Sequence, residues 1–369
     1  MSTTLAPPRQ RDGINPTAGP TSCPANIRET KIAFGMKPQT DLATINTAPE
    51  LWSLTKTNPA LGVVNPVTED DAQDIGKGDE FPTTVYPSNL DTAAVIEKYV
   101  SSEFMAWLFC FTTGKATKTT IGGSGFSYAA VPSDPVVECI NLPPFTYAEQ
   151  IRPQPDSVVD RALVGMVVND WTLSLASGPG RANCRVSVNT VGTGSVTFPS
   201  GLTFPAVTTE HMLNASGASI NINNIDYVLN ASFISAEFRW NNNVRLASGY
   251  YPGSGQQNGY AIRGRMEYGN RECTLTFVAR AAKGSQEFAN LMAQTEGPAT
   301  ITVKGALIGA GPQTHQFSIL STRSSTSGVV NGEADGIVTV NCTVRFLKPV
   351  SGPYLSLTAV CETDAIFGL

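Results

Sequence analysis

Charge is scarce in this chain of 369 residues: Asp, Glu, Lys and Arg make up 15% of it, against about a quarter in an ordinary soluble domain. The formal net charge of -5 argues against a surface that grips nucleic acid, which draws on clustered Lys and Arg. Nucleic acid passing nearby without being held is compatible with it. No apolar run is long enough to span a bilayer, and Met1–Asp12 lacks the apolar core of a secretory signal. Histidine occurs twice. His211 falls in a loop before Met212, and His315 shares a strand face with Phe317 and Ile319. Neither has a Cys, His or acidic partner at ligand spacing, so no metal site is expected. No Ser stands in a G-x-S-x-G elbow. Gly122–Gly125, Gly192–Gly194 and Gly253–Gly255 match neither a dinucleotide fingerprint nor a phosphate loop, and read as hairpin turns. A protein that is not an enzyme and uses no cofactor is expected. The seven cysteines (Cys23, Cys110, Cys139, Cys184, Cys273, Cys342 and Cys361) are odd in number and hold no C-x-x-C pair. Reduced, mostly buried thiols and folding in a cytoplasmic compartment follow. The sequons at Asn214, Asn230 and Asn341 then read as chance matches.

What the chain has in quantity is turn residues, with 33 Gly and 25 Pro, and regular alternation. In Leu163–Leu175, Trp171, Leu173 and Leu175 oppose Thr172 and Ser174. In Asp226–Trp240, Ile234, Ala236, Phe238 and Trp240 oppose Ser235, Glu237 and Arg239. In Ile337–Phe346, Val338, Val340, Cys342, Val344 and Phe346 oppose Thr339, Asn341, Thr343 and Arg345. A period of two with one apolar face means strands set against a core, their other face in water or against a partner. Low charge with many Ser, Thr and Asn fits surfaces covered by neighbours, and equally a turn-rich β-sandwich.

Residues 1–27 are polar and rich in Pro and Gly and read as an N-terminal arm. A first β-rich half covers 28–138, with strands at Lys31–Met36 and Leu51–Thr55. Asn65–Glu80 reads as a long polar loop carrying Glu69, Asp70, Asp71, Asp74, Asp79 and Glu80. Its acidic residues lack the spacing and central Gly of a calcium loop, so a solvated or lumen-facing loop is expected rather than a metal site. A helix over about 91–113 follows from Ile96, Tyr99, Val100, Phe104, Trp107 and Leu108, with Asp91 as N-cap and Gly114 as stop. Residues 139–160 form a Pro-rich connector with Pro143, Pro144, Pro153 and Pro155. The second β-rich half, 161–369, has strands at Val164–Leu175, Cys184–Val191, Tyr227–Trp240, Ala261–Ala279, Val338–Phe346 and Tyr354–Cys361. It also has a short helix over about 285–296 carried by Phe288, Leu291 and Met292, with Ser285 and Gly297 as caps. In each half a helix stops at Gly and a strand, a Gly turn and an aromatic-bearing strand follow. This shared order admits a duplication and equally a chance recurrence of helix-then-hairpin.

The segment Gly165-Met166-Val167-Val168-Asn169-Asp170-Trp171-Thr172-Leu173-Ser174, after the Pro-rich connector, leads into a Gly-turned hairpin ending at Val186–Val191. Tyr227–Trp240, Gly264–Gly269, Leu275–Val278 and the Phe288 helix come next. Across about Arg28–Phe346 this order resembles the tail tube (major tail) proteins of long-tailed double-stranded DNA bacteriophages. The resemblance implies a mainly β (α+β) subunit, an antiparallel sandwich or barrel with two short flanking helices. It implies self-assembly into rings stacked as the channel for DNA ejection, with the tail tip, terminator and tape measure proteins as partners. Duplex DNA would pass without specific binding, and no membrane would be involved. The place of such a subunit is the phage tail of the virion, assembled in the host bacterial cytoplasm. Residues 1–27 and 354–369 have no counterpart in it. Other classes compatible with the residues are a β-sandwich that binds a receptor or carbohydrate, for which Tyr250-Tyr251 is the loop aromatic pair, and a capsid or decoration subunit. A glycan hydrolase with paired carboxylates finds no constellation to support it.

Overall fold

The computed structural model of the chain describes residues 30–47, 50–53, 62–71, 81–132, 142–151, 159–178, 183–198, 204–206, 209–227, 233–281 and 286–369. Within them the first strands are β1 (Lys31–Gly35), β2 (Leu51–Ser53), β3 (Val63–Asp70), β4 (Val85–Tyr99), β5 (Ala116–Ile121), β6 (Gly125–Ala130) and β7 (Phe145–Ile151). The middle of the chain adds β8 (Val159–Ala176), β9 (Cys184–Val191), β10 (Ser195–Thr197), β11 (Ala218–Ile222), β12 (Ile225–Asp226) and β13 (Phe233–Asn241). The last strands are β14 (Gln256–Gln257), β15 (Tyr260–Ala261), β16 (Glu272–Arg280), β17 (Glu296–Leu307), β18 (Thr314–Ala334), β19 (Ile337–Phe346) and β20 (Ser356–Cys361). Helix α1 (Ser102–Thr113) follows β4, and α2 (Glu287–Ala293) follows β16. The expected mainly β architecture, antiparallel but for one parallel contact of β15 with β4, is what the residues build.

The largest layer is eight strands in the order β3-β4-β9-β8-β13-β16-β19-β18, every neighbouring pair antiparallel. It divides into two quartets. Counting strands by chain order within each, β3-β4-β9-β8 runs first, second, fourth, third, and so does β13-β16-β19-β18. In both, a helix lies between the second strand and the third, α1 before β8 and α2 before β18. A second layer, β12-β11-β17-β18-β20-β6-β5, shares β18: Gln316–Leu320 pairs with β20, and Ser324–Ala334 pairs with β19. A small third layer, β2-β1-β7-β8-β10, uses the start of β8.

Strand β8 changes layers at Gly165, where φ is +67°. A Cβ there would lie 2.6 Å from Thr193 Cγ2 and 2.9 Å from the Leu42 carbonyl oxygen. Only glycine fits that bend.

Several expectations are corrected. The helix begins at Ser102, not near Asp91. Ala94, Ile96 and Lys98 point inward and Val95 and Glu97 outward, so Asp91–Tyr99 has the period of a strand and is the second half of β4. Ile96 and Val100, four residues apart, match both periods, which accounts for the helical reading; Tyr99 fits the helical period alone. The Ser101 hydroxyl caps α1 by accepting from the Phe104 N–H at 3.2 Å, and Gly114 ends it at φ +76° as expected. Asn65–Asp70 is not loop but part of β3. The Pro-rich connector holds β7, because Pro143 and Pro144 precede the strand; Pro153 and Pro155 lie outside the described residues. The second helix is capped by neither residue foreseen: Gln294 takes the left-handed turn, Gly297 sits in β17, and Ser285 is outside the described residues. The strand foreseen over Ala261–Ala279 starts at Glu272, and that over Tyr227–Trp240 starts at Phe233. The repeated strand order spans 63–191 and 233–346, and β6 pairs with β20. Residues 1–27 lie outside the described residues.

The core surrounds α1. The run Phe104-Met105-Ala106-Trp107-Leu108-Phe109-Cys110-Phe111 is apolar on every side, and all twelve residues of the helix are buried, as a helix without a polar face must be. Trp107 meets Phe145 edge-on at 5.0 Å and donates its indole N–H to the Gly35 carbonyl at 3.0 Å. Phe109 reaches Trp171 of one layer at 6.0 Å and Phe317 of another at 6.2 Å.

Candidate functional surface: the polar face of the eight-stranded sheet

The inward face of the eight-stranded sheet carries Trp171, Leu173, Phe238, Trp240, Leu275 and Val344, all buried. Because side chains alternate, the opposite face is made by the residues between them. Register places Arg345, Thr274, Arg239, Thr172, Ser187 and Glu97 in one row across six strands. The next row reads Thr343, Thr276, Glu237, Ser174 and Arg185. Beyond the first row lie Glu272, Asn241, Asp170 and Asn189. Arg185, Arg239 and Arg345 face Glu97, Asp170, Glu237 and Glu272 among small hydroxyl and amide side chains. The two signs are interspersed, so the surface has no field of one sign. Asn189 and Asn169 donate amide hydrogens to Asp170 at 2.7 and 2.9 Å.

Of the six acidic residues singled out in sequence, three lie among the described residues. Glu69 stands on β3 and accepts from Ser88 Oγ at 2.8 Å. Asp70 ends the same strand. Asp71 is buried and structural: it accepts from the Thr83 and Thr84 N–H groups at 2.8 and 3.1 Å and from Thr83 Oγ1 at 2.9 Å. Asp74, Asp79 and Glu80 lie outside the described residues.

The histidines are not isolated, as local spacing suggested. The fold brings His211, from the segment before Met212, and His315 of β18 together with Glu103 of α1, one ligand-type atom of each lying within 4.8 Å of the others. The imidazoles stack at 3.7 Å between centroids, 15° between planes. Glu103 accepts from the His211 backbone N–H at 3.0 Å and meets His211 Nδ1 at 2.7 Å. Burial, and then the neighbouring His211, hold His315 below the ordinary histidine range. These residues are more than a hundred positions apart in places, so no window of sequence shows them.

Arg263 was also missed. Buried in a stretch with no periodicity, its guanidinium donates to the Gly192 and Leu246 carbonyls at 2.8 and 3.1 Å, pairs with Asp91, and lies 4.7 Å over the Tyr250 ring. The Tyr250 hydroxyl also meets Asp91 at 3.1 Å and Asn89 at 3.2 Å. The aromatic pair considered for ligand binding is thus half used up as packing.

Residues 30–346 match the family model of the phage tail tube protein. The chain belongs to the phage tail tube protein family. As a tail tube protein it is a structural component of the virion, made to assemble with copies of itself into a tube and to meet other tail proteins. No characterised protein matches the chain closely. Strand β20 of this tail tube subunit lies beyond the matched residues, yet it fills the place between β18 and β6. Among the described residues no helix is long and apolar enough to cross a membrane.

Proposed function

We propose that three copies of the subunit close their eight-stranded sheets into one continuous barrel, whose polar face lines the DNA channel. The observation that carries this is the repeated strand order. Inside the chain the quartets join where β8, a third strand, pairs with β13, a first strand. The same two positions are left open at the sheet's ends. Among the described residues β3 pairs only with β4, and Thr326–Ala334 of β18 only with β19. A neighbouring copy can repeat the internal joint with β18 beside β3, which removes both open edges.

The channel sets the number. At about 4.8 Å per strand, three copies give about 24 strands and a wall roughly 37 Å across before tilt widens it. A duplex is on the order of 20 Å across, its two groove depths plus the base-pair core. Two copies give about 24 Å between backbones, which lining side chains would close against a duplex, and six give about 73 Å. Interspersed charge then lets DNA slide, since binding strength follows the phosphates neutralised.

The β3–β4 hairpin, with Glu69 and Asp70 near its tip, runs past the end of β9 and is suited to reach the next ring. Residues 1–27 serve as an assembly arm on this reading; deleting them leaves a folded β protein that assembles poorly. Assembly takes place in the host cytoplasm, and the tip, terminator and tape measure proteins meet the same tube. Electron microscopy of the purified protein at high concentration, or seeded by tail-tip complexes, tests the tube itself. Tubes with a central channel support it; a compact monomer under every condition contradicts it.

A further inference from the structure

The geometry points to a divalent metal site of the zinc class at Glu103, His211 and His315, outside the polar face and independent of how the ring closes. One carboxylate and two imidazoles are a ligand set zinc uses, at about 2.0–2.2 Å per bond, with a fourth position open to water. The three ligand-type atoms already lie within 4.8 Å of one another, close enough for a turn of one ring to bring them round a single ion.

Two observations single this cluster out from an ordinary buried network. His315 is 1% exposed, its Nδ1 is 2.9 Å from Ser102 Oγ, and its Nε2 has no hydrogen-bond partner. A buried imidazole nitrogen without a partner is uncommon, and the other ring nitrogen, Nδ1, lies 3.7 Å from Glu103 Oε1, which sets the ring against the carboxylate. His211, in contrast, is 34% exposed and sits on a connecting segment rather than in a strand. The stacked arrangement cannot bind as it stands, because ring-nitrogen lone pairs lie in the ring planes. His211 has the room to turn. On binding it gives up its hydrogen bond to Glu103, the freed carboxylate oxygen takes the ion, and the hydrogen on Nδ1 passes to Nε2 or to solvent. Glu362, 4.0 Å from His211 Nε2, stands where it can support the turned ring. The ion would tie the start of α1 to β18 and to the segment before Met212, elements from both halves of the chain.

Full-length protein stripped with a chelator and dialysed against Zn²⁺ should retain one ion per chain and unfold at a higher temperature, as expected when a ligand binds only the folded state. Co²⁺ should give the visible bands of a four-coordinate site. His211→Ala should lose affinity by more than about 100-fold and lose both the thermal shift and the Co²⁺ bands. If that variant proves unfolded, His211→Gln keeps the side-chain bulk and serves in its place, with Glu103→Gln as the second ligand test. Zinc uptake and thermal shift that are absent in the wild-type protein, or equal in wild type and variants, overturn the proposal.

Discussion

The two quartets of the main sheet have one strand order and one helix position, but their helices live in opposite surroundings. Helix α1 is enclosed on all sides, and of the three strands between it and β8, β6 packs beside it and Phe145 of β7 meets Trp107 and Phe111. Helix α2 packs on β18 and leaves Phe288 63% and Met292 70% exposed. The same topology therefore holds a fully buried helix in one place and a half-bare one in the other. Topology sets where a helix goes, and covering chain sets what it must be made of. On the assembly proposed above, the bare side of α2 is a face left for a neighbouring copy.

Replacing one large side chain in each helix gives the widest separation. Trp107→Ala should cost about 3–5 kcal/mol, read as a lowered midpoint in urea. Phe288→Ala with Met292→Ala should stay within about 0.5 kcal/mol of wild type in the monomer, while slowing tube formation in light scattering. A large loss of monomer stability from the α2 pair would show that the helix is part of the core after all.

The joint between the quartets comes next. Buried Asn242 accepts from the Trp240 indole N–H at 2.9 Å and donates to the Val168 and Thr112 carbonyls at 3.0 and 3.2 Å. Asn242→Leu strands those groups and should cost about 1–3 kcal/mol, measured by denaturation. A neutral outcome would mean the quartets are joined by strand pairing alone.

The polar face can be broken by charge. Thr172→Lys with Thr274→Lys adds cations beside Arg239 on the row. Assembled tubes of this variant should retain DNA with a steep salt dependence, and wild-type tubes should release it. Equal release from both would place the row away from the channel.

The smallest effect concerns thiols. Cys110, Cys184, Cys273, Cys342 and Cys361 are free and buried, and burial pushes Cys184, Cys342 and Cys361 up to about 12. A thiol pKa raised in the folded state contributes stability below its unfolded value, near 9.0, that is lost as pH rises toward 12. Native protein should leave these five unreactive at pH 9 and expose all of them after unfolding, counted by thiol titration. Rapid native labelling of any of the five would place that thiol at the surface.

Much of the main sheet was legible because its strands are half polar. Val164–Leu175, Phe238 with Trp240, and Val338–Phe346 show a clear period of two, and each is a strand whose second face carries Thr, Ser or Arg. Strand β4 was misread because Lys98 lies buried on the apolar side, paired with Glu210, and because its apolar positions also fit a helix. Strand β7 was hidden by flanking prolines, though none falls within it. The repeated quartet was visible in outline through Gly114 and the recurring helix, but its boundary depends on β8 pairing with β13, and no local pattern encodes that. The Glu103–His211–His315 cluster is long-range for the same reason.

The ring closure is tested most directly by counting chains around the channel in assembled tubes by cryo-microscopy. Three chains and a continuous wall with β18 of one chain hydrogen-bonded beside β3 of the next is the result predicted here. Six chains around the channel, or a wall interrupted at β3, would contradict it.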